Sequence, residues 1–303
     1  MCYCLMTGCE VQPFGSIITG LGIKTSDVDC YVQLPENIVP KRNVVILARN
    51  ILRKLPWIFG DLFAIPTAKV PILKFLHTPT NCHCDVNFQS PSGVRNSKLV
   101  AYLLNTDSRA LSLAILVKYW SKVHCFTGTN LMTNYSFVIM VIFYLQVRNI
   151  LPSIYDLQKN IPVEMVDGWN TAFNKEYNHY MMYANYDSLY EILGQFFKFY
   201  AIFDFDSEVI APYIGSPLKK HLFTNIKNLP DNYALYRYNV LNKVSTEMRI
   251  DSKMCIQDPF EHYRNSTIAV YPKLCQKIIG HFKFAAKMYE ERRGEDFLRK
   301  YIF

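Results

Sequence analysis

The pattern of apolar and polar positions divides the chain into two stretches of different texture. In the first, up to about residue 95, short alternating runs rich in β-branched and aromatic residues predict strands. These runs are Val11–Phe14, Val28–Leu34, Val70–Leu76 and Cys82–Phe88. Apolar residues at helical spacing predict helices over Ile17–Leu21 and Lys41–Leu55. The first stretch is therefore predicted to be α+β, with a small mixed sheet.

After Asn96 the apolar positions follow a helical period. Helices are predicted over Leu99–Leu104, Leu111–His124, Tyr135–Ile150, Leu189–Phe203 and Thr267–Tyr289. Pro152 and Pro162 interrupt the pattern, and residues 151–187 are the most loop-like part of the chain. We therefore predict two domains, a sheet-bearing domain at 1–95 and a mainly helical domain at 96–303.

Composition limits the class of protein. Half of the 303 residues are apolar and 19% are charged, which indicates a packed globular chain rather than a disordered one. The net charge of +8 suits a polyanionic partner, although many basic proteins bind no nucleic acid. The N-terminus lacks the basic region and apolar core of a signal peptide, and the apolar run at 137–145 is too short to span a bilayer. We expect a soluble, cytoplasmic protein with no membrane partner.

The cysteines are nine in number and scattered, which argues against a disulfide framework and for a reducing compartment. Two groups have the composition of metal ligands, Cys2, Cys4 and Cys9 at the N-terminus and Cys82-His83-Cys84 in a predicted strand. Neither contains the CxxC pairs of a zinc site, so buried free thiols are the preferred interpretation.

Candidate chemistry begins with Gly15-Ser16 and the later carboxylates Asp27, Asp29 and Asp85. Two carboxylates at i and i+2 of a strand project from the same face. A third from a neighbouring strand would complete the oxygen ligand set that Mg²⁺ or Mn²⁺ prefers. Two such ions can clamp the attacking and leaving oxygens of a phosphoryl transfer. Gly15 and Ser16, at a strand-to-helix turn, suit a phosphate group.

Ten ordered motifs extend this interpretation over almost the whole chain. They are FGSIITGLGIKTSDVD (14–29), AKVPILKF (68–75), CDVNF (84–88), GVRNSKLV (93–100), VKYWSK (117–122), NYSFVIMVIFYLQ (134–146), DGWN (167–170), SLYEILGQFFKFYAIFDF (188–205), APYIGSPL (211–218) and IQDPFEHYRN (256–265). The chain resembles the template-independent RNA nucleotidyltransferases of the DNA-polymerase-β-like superfamily, namely terminal uridylyltransferases and cytoplasmic poly(A) polymerases. Within that family the motifs are most similar to those of insect uridylyltransferases of the Tailor type.

The resemblance implies a nucleotidyltransferase palm at 1–95 and a helical central domain at 96–303, with a PAP-associated region at about 188–265. A nucleoside triphosphate would lie in a cleft between them, with the RNA 3′ end beside it. Asp27, Asp29 and Asp85 match the family's metal-binding carboxylates, and Asp85 would also help to deprotonate the RNA 3′-hydroxyl. Gly15 and Ser16 match the turn that holds the triphosphate. The alternative to metal binding is that the three aspartates are surface residues at strand ends.

Further residues match the family's nucleotide site. Lys118 and Lys122 share a helix face and would bind the β- and γ-phosphates, unless they belong to a solvated basic stripe. Tyr135 matches the aromatic residue that stacks on the base. Asn134 stands where a phosphate-binding serine is usual. Asn96 matches a contact to the ribose 2′-hydroxyl, with Ser97 nearby. A helix N-cap is the alternative for either of these two.

The loop beginning at Asp258 corresponds to the loop that reads the base. Arg264 stands where uridylyltransferases carry a uracil-selecting histidine. Arginine offers only donors, so it favours uracil, which presents acceptors, over the amino group of adenine. A plain phosphate-binding or surface arginine is the alternative. Lys69, Arg49 and Arg53 are predicted to contact the RNA backbone, and a solvated helix face competes with that interpretation.

The leading hypothesis is a Mg²⁺- or Mn²⁺-dependent RNA 3′-terminal uridylyltransferase that adds UMP from UTP and releases pyrophosphate. Three alternatives stay open: a poly(A) RNA polymerase using ATP, an inactive RNA-binding or scaffold relative, and a nucleotidyltransferase acting on a small molecule or a protein. Only ten residues precede Val11, where relatives usually carry a helix, so a fragment, a truncated gene product or an inactive form is also considered. We expect a monomer, with a protein partner as one route to substrate choice.

Overall fold

A computed structural model describes residues 8–35, 44–128, 130–176, 185–291 and 297–298. The chain divides between Tyr102 and Leu103 into two compact units, called here the sheet unit and the helical unit. That division lies inside helix α2 (Ser92–Thr106), a few residues after the end predicted for the first domain at residue 95. Asn96 and Ser97 therefore belong to the sheet unit.

The sheet unit is built on a five-stranded mixed sheet. Its strands are β1 (Glu10–Phe14), β2 (Val28–Gln33), β3 (Phe59–Ile65), β4 (Ile72–His77) and β5 (Cys82–Asn87). They are arranged in the order β1-β2-β5-β4-β3. The pair β2–β5 is parallel and the other pairs are antiparallel. The predicted α+β class with a small mixed sheet is confirmed.

Helix α1 (Val44–Leu52) covers one face of this sheet. Its buried residues Val45 and Leu52 pack with Val32, Leu73 and Val86 from three neighbouring strands. Side chains alternate along a strand, so the residues next to these in sequence project from the opposite face. That second face carries the predicted carboxylates.

Several boundaries in the sheet unit differ from the predictions. Strand β3 was not predicted, because Gly60 and Asp61 interrupt its alternation. A single 3₁₀ turn at Gly15–Ile17 replaces the helix predicted over Ile17–Leu21. Helix α1 ends at Leu52 rather than Leu55. The predicted start of that helix at Lys41 and Arg42 lies outside the described residues.

The helical unit follows with a series of helices. They are α3 (Ser108–Val123), α4 (Asn134–Val147), α5 (Ile154–Gln158), α6 (Leu189–Ile202), α7 (His221–Thr224), α8 (Ala234–Leu241) and α9 (Pro272–Glu291). Asp107 caps α3 and Thr133 caps α4, and Ser188 forms a capping box with Glu191 on α6. Helix α9 begins at Pro272 rather than Thr267, because proline favours the first helical position and disfavours a helical residue before it.

Short two-stranded pairs occupy the loop regions of this unit. They are β6 (Met165–Val166) with β7 (Trp169–Asn170), and β8 (Glu208–Val209) with β9 (Leu218–Lys219). The core is aromatic: the buried Trp120 ring contacts Phe126, Phe137, Phe197 and Phe282. Cysteines 9, 30, 82, 84, 125, 255 and 275 are free thiols. Within the described ranges, no single helix has the length and apolar character needed to cross a membrane.

Candidate active site

One row of paired residues crosses all five strands of the sheet. In spatial order it is Phe14, Asp29, Asp85, Lys74 and Phe63, each the Cα partner of the next. Asp29 and Asp85 lie on neighbouring parallel strands, whose spacing is about 4.8 Å. The Lys74 ammonium forms an ion pair and a hydrogen bond with Oδ2 of Asp85. The row therefore places two carboxylates and an ammonium side by side on the face opposite α1.

Burial and neighbouring carboxylates together determine the electrostatics of this row. Burial, followed by repulsion from Asp85 and Asp27, raises the pKa of Asp29 to about 6, and Lys74 partly counteracts that shift. Asp27 immediately precedes β2 and is exposed. Among the described residues, no group of three or more His, Cys, Asp or Glu side chains converges as a ready metal cluster. In this arrangement the Asp85 carboxylate is paired with the Lys74 ammonium.

The turn after β1 is fitted closely to Asp29. Gly15 has a φ of +74°, and a Cβ atom at this position would overlap Oδ2 of Asp29. The Gly15 N–H donates a 2.7 Å hydrogen bond to Oγ of Ser97, which lies in α2. Ser16 follows in the 3₁₀ turn, where its carbonyl oxygen accepts a 3.0 Å hydrogen bond from the Leu21 N–H. The predicted phosphate-binding turn thus lies directly beside a predicted metal ligand.

Asn96 and Ser97 are both buried within α2. The helix begins four residues before Asn96, at Ser92, so the N-cap interpretation of these two residues is wrong. The hydroxyl of Ser97 instead fixes the Gly15 turn. The contact of Asn96 with a ribose stays a prediction.

Lys118 and Lys122 lie one turn apart on α3 in the helical unit. Lys118 is half-buried and Lys122 is exposed. Burial and then the neighbouring Lys122 charge lower the pKa of Lys118. Two ammonium groups held this close form a local positive site, which suits a polyphosphate.

Tyr135 and Asn134 occupy the first turn of α4, immediately after the Thr133 cap. The Tyr135 hydroxyl donates a 3.0 Å hydrogen bond to Oδ2 of Asp258. Burial and then the Asp258 charge raise the pKa of Tyr135 well above its usual value. Asn134 is exposed. The Tyr135 ring is therefore anchored at its hydroxyl end.

Asp258 is completely buried, which was not predicted for a residue that contacts nucleotide. Its Oδ1 accepts hydrogen bonds of 3.0 Å from the N–H groups of Phe260 and Glu261, while Oδ2 accepts from Tyr135. These contacts fix both the loop and the ring of Tyr135. The geometry gives Asp258 a positioning role.

Arg264 lies in the same loop, six residues after Asp258, and is exposed. Its Nη1 donates a 3.2 Å hydrogen bond to Oε2 of Glu261 and is 4.0 Å from Oδ2 of Asp258. Half of its side chain is exposed. Glu261 was not among the predicted residues, yet it orients the guanidinium.

The predicted RNA-binding residues lie on α1, just after it, and in the loop before β4. Arg49 is on α1, which covers the other face of the sheet. Arg53 follows the end of that helix, and Lys69 lies in the loop that precedes β4. Contacts of these three residues with RNA stay predictions.

Two family models match separate parts of the chain. Residues 3–105 match the model described as "Poly(A) RNA polymerase, mitochondrial-like, central palm domain", and residues 188–264 match "Cid1 family poly A polymerase". The two matches follow the order palm, then PAP-associated region, that the motifs predicted. The chain belongs to the poly(A) polymerase and terminal uridylyltransferase family. A particular similarity to insect Tailor-type enzymes stays a prediction.

Relatives in this family carry both kinds of name. The chain is 23% identical to a speckle targeted PIP5K1A-regulated poly(A) polymerase of Xenopus tropicalis, over 93% of this chain and 40% of that protein. It is 30% identical to human terminal uridylyltransferase 7, over 73% of this chain and 15% of that protein. The chain thus spans less than half the length of either relative.

Solved structures of the family share the fold. The crystal structure of mtPAP in complex with ATPgammaS superimposes with a TM-score of 0.80 at 20% identity, covering 99% of this chain and 63% of the other. The same enzyme has also been solved with UTP.

Lys74, which pairs with Asp85, was not among the residues predicted from the sequence. Lys74 stands between buried Leu73 and half-buried Phe75 in a predicted strand. A lysine inside an apolar strand was the available signal, because its alternation places it opposite the core.

Proposed function

We propose that this chain transfers nucleotides to RNA 3′ ends. The observation that carries the proposal is the register of Asp29 and Asp85 on neighbouring parallel strands, beside the Gly15 turn. Burial, followed by the nearby carboxylates of Asp85 and Asp27, raises the pKa of Asp29 to about 6. Together these carboxylates offer hard oxygen donors, which fit a divalent cation such as Mg²⁺ or Mn²⁺. Asp27, Asp29 and Asp85 are the proposed ligands.

In the proposed reaction the RNA 3′ oxygen attacks the α-phosphorus of the nucleoside triphosphate, and the bond to the β-phosphate breaks. A divalent cation, when bound, would make the 3′-hydroxyl more acidic and offset phosphate charge. Asp85 accepts the hydroxyl proton, and the Gly15-Ser16 turn holds the triphosphate. Lys118 and Lys122 stabilise the charge on the departing pyrophosphate.

We propose UTP as the preferred nucleotide. Half of the Arg264 side chain is exposed, and Glu261 orients its guanidinium. A guanidinium offers only donors, and these complement the O4 and O2 acceptors of uracil rather than the N6 amino group of adenine. Tyr135 supplies a stacking surface that any base can use. Adenylyl transfer by the same groups is the second candidate, because the named relatives include poly(A) polymerases.

The test is extension of a labelled RNA by the purified chain, with each of the four NTPs, in Mg²⁺ and in Mn²⁺. We expect the highest kcat/KM with UTP. Arg264→Ala should lower the ratio of kcat/KM for UTP to that for ATP about 10-fold or more, as expected for losing a hydrogen bond from a charged donor. Arg249→Ala is the matched control, since Arg249 is an exposed arginine paired with Asp251.

The outcomes separate the two parts of this proposal. If no NTP lengthens the RNA with either metal, nucleotidyl transfer to RNA is refuted and the inactive relative is favoured. If RNA is lengthened but Arg264→Ala keeps the wild-type preference, only base selection by Arg264 is refuted. A protein partner, a monomeric state and a cytoplasmic location stay predictions.

A further inference from the structure

The row that carries Asp85 ends in an aromatic side chain at the edge of the sheet. Phe63 is the Cα partner of Lys74, which is paired with Asp85. We propose that Phe63 is a stacking platform for a base near the 3′ end of single-stranded RNA. The inference rests on the proposed function, because it requires an RNA 3′ end at Asp85.

An irregularity in strand pairing places Phe63 on this face. Gly60 lies opposite Leu76 and Phe63 lies opposite Lys74, so two residues of β3, Asp61 and Leu62, stand against one residue of β4. Asp61 has a φ of +47°, in the left-handed region. This is the arrangement of a β-bulge.

The bulge reverses the face on which Phe63 lies. In regular pairing continued from Gly60, Phe63 would stand opposite Leu73, whose side chain is in the core against α1. With the extra residue, Leu62 and Ala64 pack against that core instead. Phe63 consequently projects from the face of Lys74 and Asp85. Bulges are common next to active sites, where they redirect a side chain.

The chemistry of this edge suits a nucleotide. Phe63 is 62% exposed, and the Lys74 side chain beside it is 43% exposed. Proteins that bind single strands combine aromatic surfaces for the bases with cations for the phosphates. Isolated exposed apolar residues are common on protein surfaces. What distinguishes Phe63 from exposed Trp57 is its register with Asp85.

The spacing of the strands limits which base is stacked. Two strand spacings, about 10 Å in all, separate β3 from β5. Stacked nucleotides rise about 3.4 Å each along one strand, so this reach corresponds to roughly one to three nucleotides. Phe63 therefore stacks on one of the last three bases, and without preference among them, because every base has a π face.

Equilibrium binding of fluorescent single-stranded RNA to the full chain tests the proposal directly. Phe63→Ala should weaken binding of oligo(A) and oligo(U) alike by about 5- to 150-fold, the range for one lost stacking contact. Phe63→Trp should retain affinity. Phe284→Ala is the control, because it removes an exposed phenylalanine from α9 in the helical unit.

Three RNAs, each with a single abasic sugar at a different one of the last three positions, identify the base that stacks on Phe63. Wild-type affinity should fall for one of these RNAs, and Phe63→Ala should lose no further affinity for that RNA, because both changes remove the same contact. If Phe63→Ala binds every RNA as tightly as the wild type does, the proposal is overturned. A changed sedimentation coefficient with unchanged RNA affinity would also overturn it, by assigning this edge to a protein contact. A chain that binds RNA through Phe63 but extends none would refute the proposed function alone.

Discussion

Replacing Tyr135 by phenylalanine removes one hydroxyl from a buried, charged network and keeps the ring. That hydroxyl donates to Oδ2 of Asp258 at 3.0 Å. Asp258 is completely buried, and the Arg264 Nη1 atom is 4.0 Å from the same oxygen, which is beyond hydrogen-bond distance. The substitution therefore removes a donor from a carboxylate oxygen that solvent does not reach.

The expected loss follows from the charge on the acceptor. Hydrogen bonds to charged groups contribute about 1.5–3 kcal/mol to stability, whereas neutral bonds contribute about 0.5–1.5 kcal/mol. Tyr213→Phe is the matched control, since the Tyr213 hydroxyl donates to a neutral acceptor, the Asn232 carbonyl oxygen, at 3.2 Å. We expect Tyr135→Phe to lower the free energy of unfolding by about 2 kcal/mol and Tyr213→Phe by about 1 kcal/mol.

Urea unfolding followed by tryptophan fluorescence measures this difference. Of the three tryptophans, Trp120 and Trp169 lie in the helical unit, and Trp57 is in the sheet unit. A Trp57→Phe background therefore restricts the signal to the unit that contains Tyr135. If Tyr135→Phe destabilises this unit no more than Tyr213→Phe does, the hydroxyl does not satisfy a buried charge and the reasoning is refuted.

Two further predictions concern the carboxylate row. The pKa of Asp29 is about 6 in the folded chain against an ordinary 3.8, so the folded state holds the extra proton between these values. Without metal, the free energy of unfolding of the wild type should therefore fall, relative to that of Asp29→Asn, as the pH rises from about 4 to about 6. Melting temperatures of the two proteins that change in parallel with pH would contradict the pKa shift. Gly15→Ala adds left-handed strain of about 1–2 kcal/mol and overlaps Asp29, so it should abolish RNA extension. Gly215→Ala, at a φ of +68° in the helical unit, should lose stability but keep extension.

The parts of the fold that could be predicted are those whose sequence pattern lies within a single strand or helix. Alternation along β2, β4 and β5 and the apolar periods of the long helices were visible because they depend on neighbouring residues only. Strand β3 escaped because the extra residue at Asp61 shifts its alternation by one position. A bulge is set by pairing with β4, which a single strand does not record.

In the candidate site, individual residues could be predicted from the sequence, whereas contacts between distant residues could not. Asp29 and Asp85 were predicted from their positions on strands, and Tyr135 from the family resemblance. Their partners were not, because the hydrogen bond from Tyr135 to Asp258 joins residues 123 positions apart. Asp258 was consequently expected to contact nucleotide, and burial instead directs both of its oxygens to the protein. The partner of Ser97 was likewise not predicted, because its hydroxyl accepts a hydrogen bond from the Gly15 N–H, 82 positions away in the sequence.

The proposed role of Asp29 and Asp85 is to form a cation site for nucleotidyl transfer to RNA. RNA extension by Asp85→Asn, compared with Asp61→Asn, tests it most directly. Both changes remove one negative charge from the same sheet, and asparagine tolerates the left-handed φ of Asp61. Asp85→Asn should add no nucleotide to RNA in either Mg²⁺ or Mn²⁺, while Asp61→Asn should extend RNA at the wild-type rate. Extension by a folded Asp85→Asn at a rate near that of the wild type would contradict the account.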